Sequence, residues 1–315
     1  MSGEMRVIAM GVHVVDVLAR PIEAIPPGQG GQLVEEIRIT PAGSAGGTAV
    51  TLAKLGATVR SAGAIGTEAL GYVMLELLAR HGVDGSMLIR REGVQTSASV
   101  LPIRADGSRP AFHVIGANGQ YNSADAPWDE IRSATHLHLG APEFMGGEEA
   151  AKILSFAREH GVITSADLLA PGEQASQILD WISPAFPHLD FLLPNDEQVL
   201  ALSGANDLEQ GCRSLIERGV GCVAATAGAE GALVVPGDGE AERVPAFAID
   251  VVDTTGCGDS FSAGFLRGLS LGRSRRDSAV LGCAAAALVA GGLGSDHGDF
   301  DLAAADAFAA ATPTR

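Results

Sequence analysis

An α/β protein with a mostly parallel central sheet flanked by helices is the fold the sequence predicts, and three observations predict it. From His136 onward, short apolar runs alternate with amphipathic helical stretches, a βαβα pattern that sets parallel strands between helices. Those runs are apolar along their whole length, as strands covered on both faces are. The 315 residues are 46% hydrophobic and contain no low-complexity tract, enough for a fully folded protein with a sizeable core.

Taken in order, Met5 to Met10 is an apolar run ending at Gly11 and reads as the first buried strand. Asp16 follows in GVHVVDVL. A lone carboxylate in an apolar stretch is either a solvated turn residue or, if buried, needs hydrogen bonds that a sugar's paired hydroxyls would supply. Gln32 to Thr40 alternates like a strand, and Pro41 to Gly56 passes from small residues into an Ala-Leu helix closed by Gly56. Val59 to Ala64 reads as a strand and Ala69 to His81 as an amphipathic helix. Ser97 to Ile103 and Ala111 to Ile115, around the turn Asp106-Gly107, read as a β-hairpin. With Leu33 to Thr40 this hairpin would form a small sheet covering the substrate, a lid.

The βαβα portion comprises strand His136 to Leu139, helix Gly147 to Glu159, strand Val162 to Asp167, helix Glu173 to Ile182 and strand Phe191 to Leu193. Ligands of such sheets sit at the C-terminal ends of the strands. Glu143, just after one of them in LGAPEF, is a candidate substrate contact, with a surface-loop carboxylate as the alternative. His136 and His138 read as core or edge residues. A helix from Asp207 to Arg218 and a buried Ala-rich helix within Ser278 to Gly294 complete the pattern.

Val251 to Leu269, VVDTTGCGDSFSAGFLRGL, carries the most chemistry. Gly256 and Gly258 allow peptide N–H groups to converge where a helix begins, a point that attracts an anion. Asp259 falls at that helix start, while Phe261, Phe265 and Leu266 repeat at core-facing spacing. A base beside an anion cradle is what phosphoryl transfer to a hydroxyl needs. The plain alternative is an N-cap, with Thr254, Thr255 and Asp259 only satisfying helix amides. A cysteine in this turn, Cys257, would have its thiolate stabilised by the same amides and be the most reactive of the four.

Composition excludes several classes. A formal charge of −17 argues against nucleic acid or an anionic membrane as partner. Cys212, Cys222, Cys257 and Cys283 form no C-x-x-C pair, so neither a disulfide framework nor a zinc site is expected, and the N-terminus lacks the apolar core of a signal peptide. The protein reads as cytoplasmic. Its only lysines are Lys54 and Lys152, each preceded by alanine, so a kinase activity would use backbone amides rather than a P-loop lysine.

Asp253-Thr-Thr-Gly-Cys-Gly-Asp259 resembles the C-terminal signature of the ribokinase-like (PfkB) carbohydrate kinases, with Cys257 where a small residue, usually Ala, is expected. Pro41 to Gly56 resembles the family's N-terminal signature, with Ala42 at its first glycine and Gly47 at its asparagine. Pro194 to Gln198 resembles its Asn-x-x-Glu motif, with Gln198 at the glutamate and Glu197 adjacent. Thr226 to Gly231 resembles its T-x-G-x-x-G nucleotide turn, although a tight hairpin would use the same glycines.

The resemblance implies a single ribokinase-like domain over residues 1–315, with a small β-sheet lid from roughly 12–42 and 96–118. It implies Asp259 as base, an anion hole of Gly256, Cys257 and Gly258, and substrate contacts at Asp16, Gly43, Ser44 and Gly47, beside the candidate Glu143 read from its place after a strand. Nucleotide contacts would fall at Asn195, Thr226, Gly228 and Gly231, with ATP and Mg2+ as cofactors and a monovalent cation, K+, near Asp253 and the Thr255 carbonyl. The expected acceptor is a sugar or sugar-like molecule, and a homodimer fits the family. A nucleoside kinase is the near alternative. A serine hydrolase using Gly258-Asp-Ser-Phe261, with Asp296 and His297 nearby, and a non-catalytic sugar sensor are the more distant ones.

Overall fold

The computed structural model describes residues 4–105, 107–169 and 175–315. The chain opens with β1 (Arg6–Gly11), whose alternate side chains enter both cores: Ile8 and Met10 on one face, Val7 and Ala9 on the other. That double burial is why the strand is apolar from Val7 onward. β2 (Val14–Arg20) and β3 (Glu36–Ala42) leave the main sheet before α1 (Ser44–Lys54) returns the chain to β4 (Thr58–Gly66), α2 (Ala69–Arg80) and β5 (Asp84–Arg91). β6 (Ala98–Pro102) and β7 (Phe112–Val114) join β2 and β3.

The second half runs α3 (Trp128–Ser133), β8 (His136–Gly140), α4 (Gly147–Glu159), β9 (Ile163–Asp167), α5 (Ala175–Ile182), β10 (Phe191–Leu192), α6 (Asp196–Ser203), α7 (Leu208–Glu217), β11 (Cys222–Thr226), β12 (Ala232–Pro236) and β13 (Glu242–Val244). It ends with α8 (Cys257–Ser270), α9 (Arg275–Ala290) and α10 (Leu302–Ala311). The nine-stranded sheet has the order β13-β12-β11-β10-β9-β8-β1-β4-β5, antiparallel only where β11, β12 and β13 pair. The four-stranded sheet has the order β3-β2-β6-β7.

The expected α/β class and the separate small sheet are therefore present, but the sequence reading needs several corrections. Asp16 is not in a solvated turn; it lies on β2 and is 6% exposed. The strands β2, β5, β11, β12 and β13 and the helices α3, α6 and α10 went unread. The residues expected as the start of a helix at Glu173, and Asp106 of the hairpin turn, lie outside the described residues. Thr226 to Gly231 joins β11 to β12, so the hairpin and the expected nucleotide turn are the same segment.

The small sheet shows why alternation matters. Its paired residues Thr40, Asp16, Ser99 and His113 form one row across the strands. The next row, Ile39, Val17, Val100 and Phe112, points the opposite way because side chains alternate along a strand. The first row supplies Asp16, Ser99 and His113 to a cleft; the second leaves Phe112 60% and Val100 53% exposed. The Ala-rich α9 lies close against α8, where a methyl added at Gly264 would strike the backbone of Gly282. This close approach fixes where α8 begins.

Candidate active site

Helix α8 starts at the C-terminal edge of the main sheet without any side-chain cap. Gly256 precedes it in the left-handed region (φ 78), and a side chain there would overlap Ser295. The N-cap alternative fails because Thr255 is committed elsewhere: its N–H (2.9 Å) and hydroxyl (2.7 Å) both donate to Asp253 Oδ1. Asp253 Oδ2 accepts from Gly294 N at 2.9 Å, so a fully buried carboxylate pins the turn to the loop after α9. The Cys257 amide donates to Thr254 O, whereas those of Gly256 and Gly258 have no acceptor among the described residues. The open donors are thus two of the three amides expected.

Asp259, in the first turn of α8, lines a cleft of about 1080 Å³. Burial, then the nearby charge of Asp16, raises its pKa to about 7, against an opposing pull from Arg109. Asp16 is raised to about 6, chiefly by burial, and its Ser99 hydrogen bond and Arg109 offset part of that. Gly43 (φ 81) and Ser44 start α1 in the same cleft. Gly47 does not line it: a methyl there would overlap the Asp259 carboxylate, so Gly47 is the floor under Asp259 rather than a substrate contact.

Glu143 follows β8 in the cleft wall and is not a surface carboxylate. Its Oε1 accepts from Leu169 N, its Oε2 is buried without a partner, and burial pushes its pKa to about 7. Between Glu143 and Asp259 lies Asp167, at the end of β9. Burial and those two neighbours hold its carboxyl well above the usual range, while Ala141 N donates to it at 3.3 Å and Ser44 bonds it as well. Sequence reasoning missed Asp167 and Arg109. Asp167 closes the buried strand ITSAD, where Thr164 and Ser165 make a carboxylate less conspicuous than Asp16 is in its apolar run; Arg109 carried no signal.

Asn195, Thr226 and Gly228 meet at the other end of the cleft. Asn195 caps α6: its Oδ1 accepts from Gln198 N at 2.8 Å, and Gln198 Oε1 accepts from Asn195 N at 2.8 Å. Gln198 and Glu197 both line the cleft, but the Gln198 side chain is engaged, its Oε1 at the helix start and its Nε2 donating to Leu168 O at 2.6 Å. A second, apolar cavity of about 370 Å³ opens beside it between the β11–β12 turn and α9. Thr226, Gly228, Thr254 and Gly258 line both cavities, and Gly231, Phe247, Phe261 and Ala286 line the apolar one.

Cys257 corrects another expectation. Its Sγ turns to Ala286 O (3.7 Å), and burial pushes the thiol up to about 12. Desolvation outweighs the helix start because the sulfur faces α9 rather than the open amides. The hydrolase alternative also falls: Ser260 is fully buried, with its Oγ 3.0 Å from Thr51 Oγ1. His136 and His138 are buried, as a core reading expects, but the Nε2 of each lacks a hydrogen-bond partner among the described residues.

A doubly covered parallel sheet, a small second sheet over its C-terminal edge and an open helix start between two cavities define a ribokinase-like protein. The pfkB family carbohydrate kinase model matches residues 11–299, and the chain belongs to that family, whose members are phosphotransferases acting on alcohol groups. It is 27% identical over 270 residues to a nucleoside kinase of Methanothermobacter thermautotrophicus, covering 85% of this chain and 83% of that protein. It is 30% identical over 262 residues to an ATP-dependent ribose-1-phosphate kinase of Halopiger xanaduensis, covering 83% and 84%. A candidate ribokinase II of E. coli, solved with ATP and Mg2+, shares the fold with a TM-score of 0.82 at 20% identity, covering 97% of this chain and 99% of that one. The chain is therefore a sugar or nucleoside kinase. Among the described residues no helix is long and apolar enough to cross a membrane.

Proposed function

We propose that the chain moves the γ-phosphoryl group of ATP to a hydroxyl of a sugar or sugar-like molecule. One observation carries this: Asp259 stands at an uncapped helix start where the two cavities join. The adenine fits the apolar cavity, with Thr226, Gly228 and Gly231 at its edge and Asn195 toward the phosphates. The triphosphate then runs to the amides of Gly256 and Gly258, which stabilise charge on the moving group. Asp259 takes the acceptor's proton as its oxygen attacks. Asp16, Gly43, Ser44 and Glu143 hold the acceptor.

Asp196 and Glu197, at the phosphate end, would hold Mg2+, which neutralises phosphate charge. K+ fits Asp253, a fully buried carboxylate with no basic side chain in ion-pair contact among the described residues, together with the Thr255 carbonyl. The chain acts as one domain over 1–315, and the small sheet of segments 12–42 and 96–118 closes over the acceptor and excludes water. Its outward apolar row is covered by a second copy of the chain.

The test is ATP consumption screened over sugars and nucleosides, with Asp259→Asn as control. The variant keeps ATP binding and loses roughly two to four decades in turnover. A fully active Asp259→Asn would remove Asp259 from the mechanism.

A further inference from the structure

Asp16 and Asp259 interact with each other, and Asp167 with both Asp259 and Glu143, so the carboxylates run from Asp16 past Asp259 and Asp167 to Glu143. The transferred phosphoryl group belongs at the Asp259 end. The Glu143 end is built differently. Phe144, Ile178 and Trp181 line the cleft with Glu143, and Ile115 also lines it. Trp181 is 59% exposed and Ile115 51%, large apolar surface left open inside a cleft, which marks a binding surface more often than an idle one.

The indole is held in place. Its Nε1 donates to Glu143 O at 3.1 Å, and its ring lies so close to Gly146 that a methyl there would strike it. The ring face is therefore presented by fixed backbone. Beside it, Glu143 Oε2 is buried with no partner, and a buried oxygen left unpaired is costly. A fixed aromatic face next to an acceptor in need of a donor suits a flat group with an N–H on its edge, the pairing by which carboxylates read amino-bearing bases. A free sugar would use the hydroxyl-binding end and leave the shelf bare.

We infer that the acceptor is a nucleoside, its sugar hydroxyls at Asp16 and Asp259 and its base lying on Trp181 with an edge N–H toward Glu143 Oε2. This rests on the kinase reading above and names the substrate class of the same site.

Trp181 fluorescence, read without ATP, separates the two claims. Cytidine or adenosine quenches it and ribose does not, and the quench disappears in Trp181→Phe. In ADP-release assays, nucleosides have a KM at least roughly tenfold below that of ribose. Trp181→Ala raises the nucleoside KM roughly tenfold or more, the loss of one base–aromatic stack, and Trp181→Phe restores most of it. Melting curves confirm that both variants fold. Turnover of ribose or fructose with no nucleoside quench or turnover overturns the nucleoside inference and leaves the kinase reading standing. Nucleoside quench with no ADP release from any acceptor supports the shelf and sinks the kinase reading. Absence of both, or a Trp181→Ala effect on kcat alone, overturns the inference.

Discussion

The acid limb of the pH–rate profile is the sharpest consequence of the carboxylate cluster. With Asp259 raised to about 7, the base is about half protonated at neutral pH in the free enzyme, so kcat/KM rises with pH through about 7. Asp16, raised to about 6, is coupled to it and steepens the limb below that value. Asp16→Asn removes the neighbouring negative charge. The rise from 3.8 to about 7 is due first to burial and second to Asp16. The share of Asp16 is the smaller of the two and has the sign of a neighbouring negative charge. Without that charge the limb moves to lower pH and becomes a single ionisation. At pH 6, where both carboxylates must be ionised, the wild type retains about a twentieth of its plateau kcat/KM and the variant several-fold more. The assay is coupled ADP release across about pH 5 to 9, each profile normalised to its own plateau so that weaker acceptor binding cancels. A limb that stays put, or moves upward, refutes the electrostatic coupling of the two carboxylates.

Three further outcomes follow from named contacts. Gly47→Ala drives a methyl into the Asp259 carboxylate; kcat falls by about a decade or more from misplacement of the base, while ATP affinity stays within about twofold. Equal activity would mean Asp259 has room to move. Cys257 resists iodoacetamide in the native protein near pH 8, because its thiol is pushed up to about 12, and Cys257→Ala stays active; rapid labelling blocked by ATP would restore the reactive-turn reading. Val100→Lys, placed in the outward row of the small sheet, converts dimer to monomer in light scattering, and an unchanged mass removes that row from any interface.

The family signature at Asp253 to Asp259 was legible because its chemistry is local: glycine, carboxylate and helix start lie within a few residues. The alternating apolar and helical runs were legible for the same kind of reason, since burial on two faces writes itself into each strand. Asp167 escaped because its importance comes from neighbours far along the chain. Ala141 and Ser44 bond it, and Glu143 and Asp259 raise its pKa. Arg109 escaped too, as a loop arginine whose reach to Asp16 and Asp259 no spacing encodes.

Gly47 and Cys257 mark where local reasoning stops. Both sit in motifs the sequence displays, and each was assigned a role from its motif. Packing reversed them: one residue is a floor beneath Asp259, the other a thiol turned onto α9. The α/β alternation, the helix start with its glycines and the family were legible from the chain alone, because each is set by neighbours along it. Tertiary structure alone decided which side chains share the cleft and which carboxylates hold their protons. Those depend on how close distant segments come and how much water they exclude.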